Sequence, residues 1–530
     1  MMQAHKIPIF KPWVSEWTAR SVIFAILMIC LFSFAYYGIP VATMGYYGIQ
    51  STDVQYAMVI TYGSTVAFLA LDFRIAKYFA PRQYLLLAFA VNALCSIVCF
   101  YSKDWIWFVI GQFIQGITCA LLSGIVLQLI FPRLQSMRGR IIAYSLLYGC
   151  IQISAPFYSI YSSIILHYYD FNCLFYGPIM MLVLLTLLVL VTMNGNARFT
   201  KKIPLYQVDW TGYLLYVSFI LILGYILVYG RQLGWFDNPY IVSLSLLNLT
   251  LLVLFIVRQL KVKRPLIKLK VFKVRNFIIG LFLLIVFYFF KGSTGLAYGY
   301  LENILGNHPL STVPIWLAVI AGTALSMFVT SRFILMGFKL IWIILVGLGI
   351  MALYYIYMLS FISVQGTSVD FILPMFIYGI ATGTLFVPIV SFTTSSVPPE
   401  TAVNASLVGI FARFVGFTGS LAFNNELQLL TKSTFREKLR ETLTDINPQL
   451  SLTLHDIQNQ YLNAGRDQFT ANDLTASYFN SFISGQVFAR ATQNYYDWML
   501  LGIVCVMLII VMSSQLWRVV IRLRKRNLPY

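Results

Sequence analysis

Two cations, Lys291 and Arg413, stand inside long apolar stretches of this chain. Lys291 lies 14 residues after Phe277 and 10 before Leu301. In one continuous helix that is about 15 Å or more from either end, at 1.5 Å per residue. A lysine stem reaches only about 6 Å by snorkelling, and a cation at the centre of a bilayer costs about 2.5–3.5 kcal/mol on insertion scales. Lys291 must therefore face a watery cavity or a partner. It either binds an anionic substrate group or titrates during transport, or it is clamped by carbonyls of its own and neighbouring helices. Arg413 is set ten residues into the stretch Val403–Phe423, with Gly416 and Gly419 beside it to permit close helix packing. An arginine stays protonated, so it can bind or gate but cannot carry a proton.

The carboxylates are placed differently. None of the 18 acidic residues falls in the middle third of a predicted helix. Glu302, Glu426 and Asp53 sit at helix ends on one side and Asp72 at a helix end on the other. Glu302 is the first proton-coupling candidate and Glu426 the second, against a role as interfacial caps. Asp209 opens a helix, where a carboxylate complements the helix dipole. The four histidines all lie outside the apolar stretches and the seven cysteines inside them. No metal-ligand cluster, disulfide framework or catalytic site emerges. A polytopic membrane enzyme is the weakest of the readings, and no cofactor is expected.

The elements that must position these residues are the apolar stretches themselves. About fourteen follow one another: Ser21–Gly45, Val54–Leu71, Gln83–Tyr101, Trp105–Leu129, Ile141–Leu166, Cys173–Met193, Thr211–Tyr229, Ile241–Val257, Phe277–Leu301, Pro314–Thr330, Leu340–Met358, Phe371–Phe392, Val403–Phe423 and Trp498–Leu516. Each is long enough for a helix to cross a hydrocarbon core of about 30 Å. Only 10% of residues are charged, against about 25% in soluble domains, so water is not the main solvent. The net charge of +19 would suggest nucleic acid in a soluble protein, but 27 of the 37 Lys and Arg residues fall in the connections on one side. The positive-inside rule therefore explains the charge without a nucleic-acid partner and puts both termini in the cytoplasm. The first stretch is too long for the core of a cleavable signal and reads as a retained helix. The external segment 424–497 carries apolar spacing at Leu427, Leu430, Phe435, Leu439 and Leu443, which suits an amphipathic extension that Pro448 ends. A second helical piece is expected from Ala471 onward. This segment is a solvated cap or a docking surface for a periplasmic partner.

Gln112, Gln115 and Gln152 are polar residues within helices, and Tyr36, Tyr37, Tyr62, Tyr288, Tyr298, Tyr354 and Tyr355 are placed where they could line a cavity. Aromatic walls with few fixed polar groups suit bulky amphiphiles. The alternative for each tyrosine is packing or an interfacial belt.

Asp209-Trp210-Thr211-Gly212, Gly230, Gly234-Trp235-Phe236, Pro265-Leu266, Phe272 and Arg275-Asn276-Phe277 resemble the central region of the fourteen-helix drug:proton antiporters, the EmrB/QacA type of the major facilitator superfamily. Val59-Ile60-Thr61, Gln115-Gly116, Ala155-Pro156, Phe386-Val387-Pro388, Pro398-Pro399-Glu400 and Arg413 with Gly416 extend the resemblance over nearly the whole chain. The chain reads as a divergent member. Phe73 and Ala80 replace motif glycines, Lys77 stands where an acid is common, Gln112 replaces a helix-four arginine, and Leu31 falls on the usual helix-one aspartate.

The resemblance implies an all-α polytopic membrane protein with the major facilitator fold and fourteen transmembrane helices arranged 6 + 2 + 6. The expected units are 1–194, an inserted pair within 195–276, and 277–530. The substrate site is expected at the bundle interface near the midplane, opened to each side in turn. The implied function is proton-gradient-driven export of amphipathic small molecules from the inner membrane of a bacterium. A periplasmic adaptor (a membrane-fusion protein) and an outer-membrane channel are the implied partners, besides the substrate, protons and the lipid bilayer. Two buried cations without a buried acid favour neutral or anionic substrates. A dedicated exporter of one anionic metabolite, such as a fatty acid or siderophore, is the alternative.

Overall fold

The computed structural model describes residues 9–32, 40–130, 137–195, 197, 206, 208–303, 309–362, 367–398, 401–442 and 448–512. Helices dominate these residues, and the β contact among them is an isolated antiparallel bridge from Phe10 to Met193. The first set comprises α1 (Glu16–Phe32), α2 (Pro40–Tyr47), α3 (Ser51–Ile75), α4 (Pro81–Tyr101), α5 (Trp105–Ile130), α6 (Met137–Tyr168) and α7 (Tyr176–Thr192). A pair follows, α8 (Trp210–Tyr229) and α9 (Pro239–Lys261). The last set is α10 (Arg275–Lys291), α11 (Thr294–Asn303), α12 (Val313–Leu335), α13 (Leu340–Phe361), α14 (Ile372–Ser395), α15 (Ala402–Thr442), α16 (Pro448–Asn463) and α17 (Gln468–Met512). Among the described residues, thirteen helical stretches are long and apolar enough to span a membrane. The predicted span Ser21–Gly45 corresponds to α1 and α2, with residues 33–39 outside the described part.

Helix starts follow local chemistry. The Asp209 carboxylate accepts the Gly212 N–H at 3.0 Å, capping α8, and is paired with Arg258 at 2.7 Å. Asn238 caps α9, accepting from Tyr240 N–H at 2.9 Å, with Pro239 in the first helical position. The turn between α8 and α9 places Gly234 at φ +82°, a left-handed conformation that favours glycine.

Packing uses small residues, as expected where lipid gives helices little hydrophobic reason to associate. A side chain at Gly322 would collide with the Phe376 carbonyl, and one at Gly379 with the Val319 carbonyl, so the α12 and α14 backbones nearly touch. Gly116 of α5 lies equally close to the Thr61 carbonyl of α3. The first and last sets meet where α6 packs on α12 and where α3 packs on α15. Helix α8 fills the angle between α3 and α15, and α9 leans on α8 with Leu246, Leu249, Val253 and Leu260 exposed. At the acidic end, α3 and α15 are joined by a reciprocal amide pair, Gln55 with Asn425, at 2.8 and 3.2 Å.

One sequence expectation changes and another holds. The predicted span Phe277–Leu301 is not one helix: α10 ends at Lys291 and α11 begins at Thr294. The amphipathic extension expected beyond Val403–Phe423 is present, because α15 continues as a single helix to Thr442. Its extension leaves the apolar layer, and α16 and the first part of α17 pack together beside it.

Candidate functional site

The break between α10 and α11 organises the centre of the molecule. Interrupting a membrane helix frees carbonyls that must find donors, and tyrosines supply them. Tyr355 donates to the Phe290 carbonyl at 2.9 Å, Tyr378 to the Lys291 carbonyl at 3.1 Å and Tyr496 to the Ser293 carbonyl at 3.3 Å. Tyr354 and Tyr496 hydroxyls are 3.3 Å apart. Tyr354 and Tyr355, candidates from sequence for the cavity wall, are fully buried; Tyr355 serves this backbone directly and Tyr354 meets Tyr496.

Lys291 is thus the last residue of a helix, not the middle of one. Its charge sits at the negative end of the α10 dipole, which stabilises a cation. The side chain is half-buried, with its Nζ 5.4 Å from the Tyr288 ring centroid. On α15, close packing against α10 through Gly416, which abuts the Ile285 carbonyl, brings Arg413 into the same region. Arg413 is 8% exposed. Its guanidinium lies 5.0 Å from the Phe386 centroid and 5.4 Å from that of Tyr148. Lys291 and Arg413 are near enough to act on each other electrostatically, and Arg413 also faces the hydroxyls of Tyr62, Tyr148 and Tyr288. Neither cation forms an ion pair with a carboxylate among the described residues.

The walls come from both sets of helices. Tyr62 of α3 contacts Phe414 and Phe417 of α15, with centroids 5.7 and 5.8 Å apart. Phe287 of α10 stacks on Phe386 of α14 at 5.5 Å. Lys291, Arg413 and Tyr62 therefore share one aromatic-walled region, with two cations set beside several ring faces.

The glutamines form a separate layer. Gln112 accepts from Thr61 at 2.9 Å, and its Nε2 has no hydrogen-bond partner. Thr61 and Tyr62 point about 100° apart around α3, so Gln112 is turned away from the face that meets α15. Gln115 Oε1 and both polar atoms of Gln152 are likewise buried without hydrogen-bond partners among the described residues. Gln152, on α6, is 5% exposed. Such groups are costly unless water or ligand reaches them.

The remaining candidates fall elsewhere. Tyr36 and Tyr37 lie outside the described residues. Tyr298 and Glu302 belong to α11, with their side chains outside the described part. Glu426 accepts from Trp235 Nε1 at 2.8 Å and pairs with Arg231 at 3.2 Å, tying α15 to the turn between α8 and α9. It is remote in sequence from Lys291 and Arg413, 13 residues beyond the latter along α15, about 20 Å of helix. Tyr148 and Phe386 were missed as neighbours of Arg413, since single aromatics among many give no sequence signal.

Residues 22–422 match the Major Facilitator Superfamily. Multidrug export protein EmrB of Escherichia coli K12 is 25% identical over 293 residues, 53% of this chain and 54% of that protein. The match thus spans about half of that relative's length. Probable multidrug resistance protein EmrY of the same strain is 23% identical over 423 residues, 76% of this chain and 79% of the relative. A peptide transporter POT in complex with sulfate shares the fold with a TM-score of 0.58 at 13% identity, over 96% of this chain and 99% of that one. A POT family transporter in complex with 5-aminolevulinic acid gives a TM-score of 0.57 at 16% identity, over 93% and 96%. With the sequence match running from the first helix into α15 and the architecture shared across nearly the full length, the chain belongs to the Major Facilitator Superfamily of multi-pass membrane transporters.

Proposed function

We propose that this transporter exports amphipathic, neutral or anionic small molecules by alternating access, driven by the proton gradient across the inner membrane of a bacterium. The observation that carries this reading is the pair Lys291 and Arg413, set among aromatic rings from both helix sets with no carboxylate partner among the described residues. In this reading residues 1–194 and 277–530 form two rocking bundles, and α8 and α9, within 195–276, are inserted between them. Fourteen helices then cross the membrane, with both termini cytoplasmic, as the basic connections suggest. The names of EmrB and EmrY, a multidrug export protein and a probable multidrug resistance protein, support export of drugs. The projecting end of α15 with α16 would offer a periplasmic adaptor its docking surface.

Flux into proteoliposomes under an imposed pH gradient, screened over acidic and basic amphiphiles, tests the proposal. Acidic and neutral compounds should move when the gradient is imposed and stop when it is collapsed. Transport restricted to lipophilic cations, or flux indifferent to the gradient, would overturn it. A response confined to a single compound would instead favour a dedicated metabolite exporter.

A further inference from the structure

We propose that Asp72 is a proton-binding site, and that its protonation holds α3 against α5 and keeps a latch from α3 to the segment between α9 and α10 closed. This deepens the proton-driven reading and rests on it for its role in transport.

Two carboxylates are buried among the described residues, Asp72 and Asp209. Asp209 has a guanidinium and a helix N–H to satisfy it. Asp72, in the last turn of α3, has neither and is 0% exposed. Its Oδ1 accepts from the Tyr84 hydroxyl of α4 at 2.5 Å. Its Oδ2 has no hydrogen-bond partner among the described residues and is pressed against Gly124 of α5, where any side chain would collide with it.

Among the described residues, the surroundings offer no compensating charge. Helix α5 contributes no acidic or basic side chain, and its one titratable group is the Cys119 thiol. Helix α4 contributes Tyr84, and its Arg82 lies toward Gly195. Helix α8 contributes Tyr213, whose ring is set against Phe68. Arg413 of α15 sits at the level of Tyr62, ten residues or about 15 Å back along α3. Arg74 is near in sequence, but its guanidinium donates to the carbonyls of Arg264, at 3.0 Å, and of Pro265, with Asp209 beyond.

An ionised carboxylate with one bare oxygen in such a place is far costlier than the neutral acid. The packing seen here therefore selects the protonated form. Releasing the proton requires water or a cation at Oδ2, and the Gly124 backbone occupies that space. Helices α3 and α5 must then part. Arg74, two residues on, holds the segment that leads into α10, so a shift of the end of α3 pulls directly on that latch. Proton loss at Asp72 and release of the latch become one event.

Infrared difference spectroscopy of the full-length protein in liposomes, between acidic and alkaline pH, reads this without any substrate. A protonated-carboxyl C=O band should disappear on alkalinisation and be missing in Asp72→Asn. Tyr84→Phe removes only the hydrogen bond to Oδ1 and should shift that band, which keeps the test decisive if Asp72→Asn fails to fold. A band that persists in Asp72→Asn, or that does not move in Tyr84→Phe, overturns the site. Flux is the second readout, with dansyl-labelled decanoate as probe. Asp72→Asn, which cannot ionise and so leaves the latch closed, should lose pH-gradient-driven flux and slow probe exchange at equal pH as well. Unchanged gradient-driven flux overturns the role in coupling. A parent protein that shows no gradient-driven flux would defeat the transport reading alone, because the infrared band still decides whether Asp72 binds a proton.

Discussion

Arg413 of α15 faces Tyr148 of α6 across the boundary between the two helix sets, 5.4 Å from guanidinium to ring centroid. The same guanidinium also lies over Phe386 of its own set. A planar, weakly hydrated cation is suited to lie between two rings, and an ammonium is not. Desolvated cation–π contacts are worth about 2 kcal/mol. Arg413→Lys should therefore behave as a loss. Affinity for an acidic amphiphile, measured by tryptophan quenching or equilibrium dialysis, should fall about 10- to 30-fold, as about 1.4–2 kcal/mol implies. An Arg413→Lys variant that binds like the parent would refute the stacked role.

Lys291 makes the opposite case. Tyr378 and Thr294 hold its backbone carbonyl, at 3.1 and 3.2 Å, and leave the ammonium uninvolved. The break between α10 and α11 should therefore survive Lys291→Met, which keeps the stem and deletes a charge that is costly to bury. Thermal stability in detergent should stay within about 1 kcal/mol of the parent or rise, while binding of acidic amphiphiles weakens and that of neutral ones does not. Equal loss for both classes would mean that the side chain shapes the cavity and does not read charge.

Why one part was legible in sequence and another was not follows from these two residues. Long apolar stretches reveal helices because the bilayer fixes their length, and a lone cation inside one stands out against that background. The break at Lys291–Ser293 left no comparable trace. The carbonyls around it are met by tyrosines on α13, α14 and α17, 65 to 203 positions further on. Gly292 alone did not betray it, since glycines also occur in unbroken membrane helices. Asp72 was visible as a residue at a helix end, but its burial depends on Tyr84 and Gly124 from two other helices. Periodicity says which face is apolar, not which neighbour covers it.

Close approach of α10 and α15 gives a stability prediction. A methyl at Gly416 would strike the Ile285 carbonyl and press on Tyr288. Backbone cannot move aside as a flexible side chain can, so Gly416→Ala should cost about 1–3 kcal/mol, seen as a lower midpoint in thermal unfolding. Gly485→Ala is the control. That glycine lies in α17 with nothing within 4 Å of the added atom, and it should gain up to about 1 kcal/mol from helix propensity. Equal effects at both positions would show that close packing does not set the α10–α15 distance.

Glu426 offers a test of which carboxylate serves the proton. Its oxygens are already used, one by Trp235 and one by Arg231, and both partners of the ion pair keep about 30% of their side-chain surface exposed. Exposed pairs of this kind contribute about 0–1 kcal/mol. Glu426→Gln keeps an oxygen for Trp235 and loses only the charge, so the fold should hold. The joint between α15 and the α8–α9 turn should loosen, with labelling of a single cysteine at Gln55 rising by up to about fivefold, the equivalent of 1 kcal/mol. Gradient-driven flux should persist in Glu426→Gln and fail in Asp72→Asn. The reverse pattern would move the coupling proton from the buried end of α3 to the surface of α15.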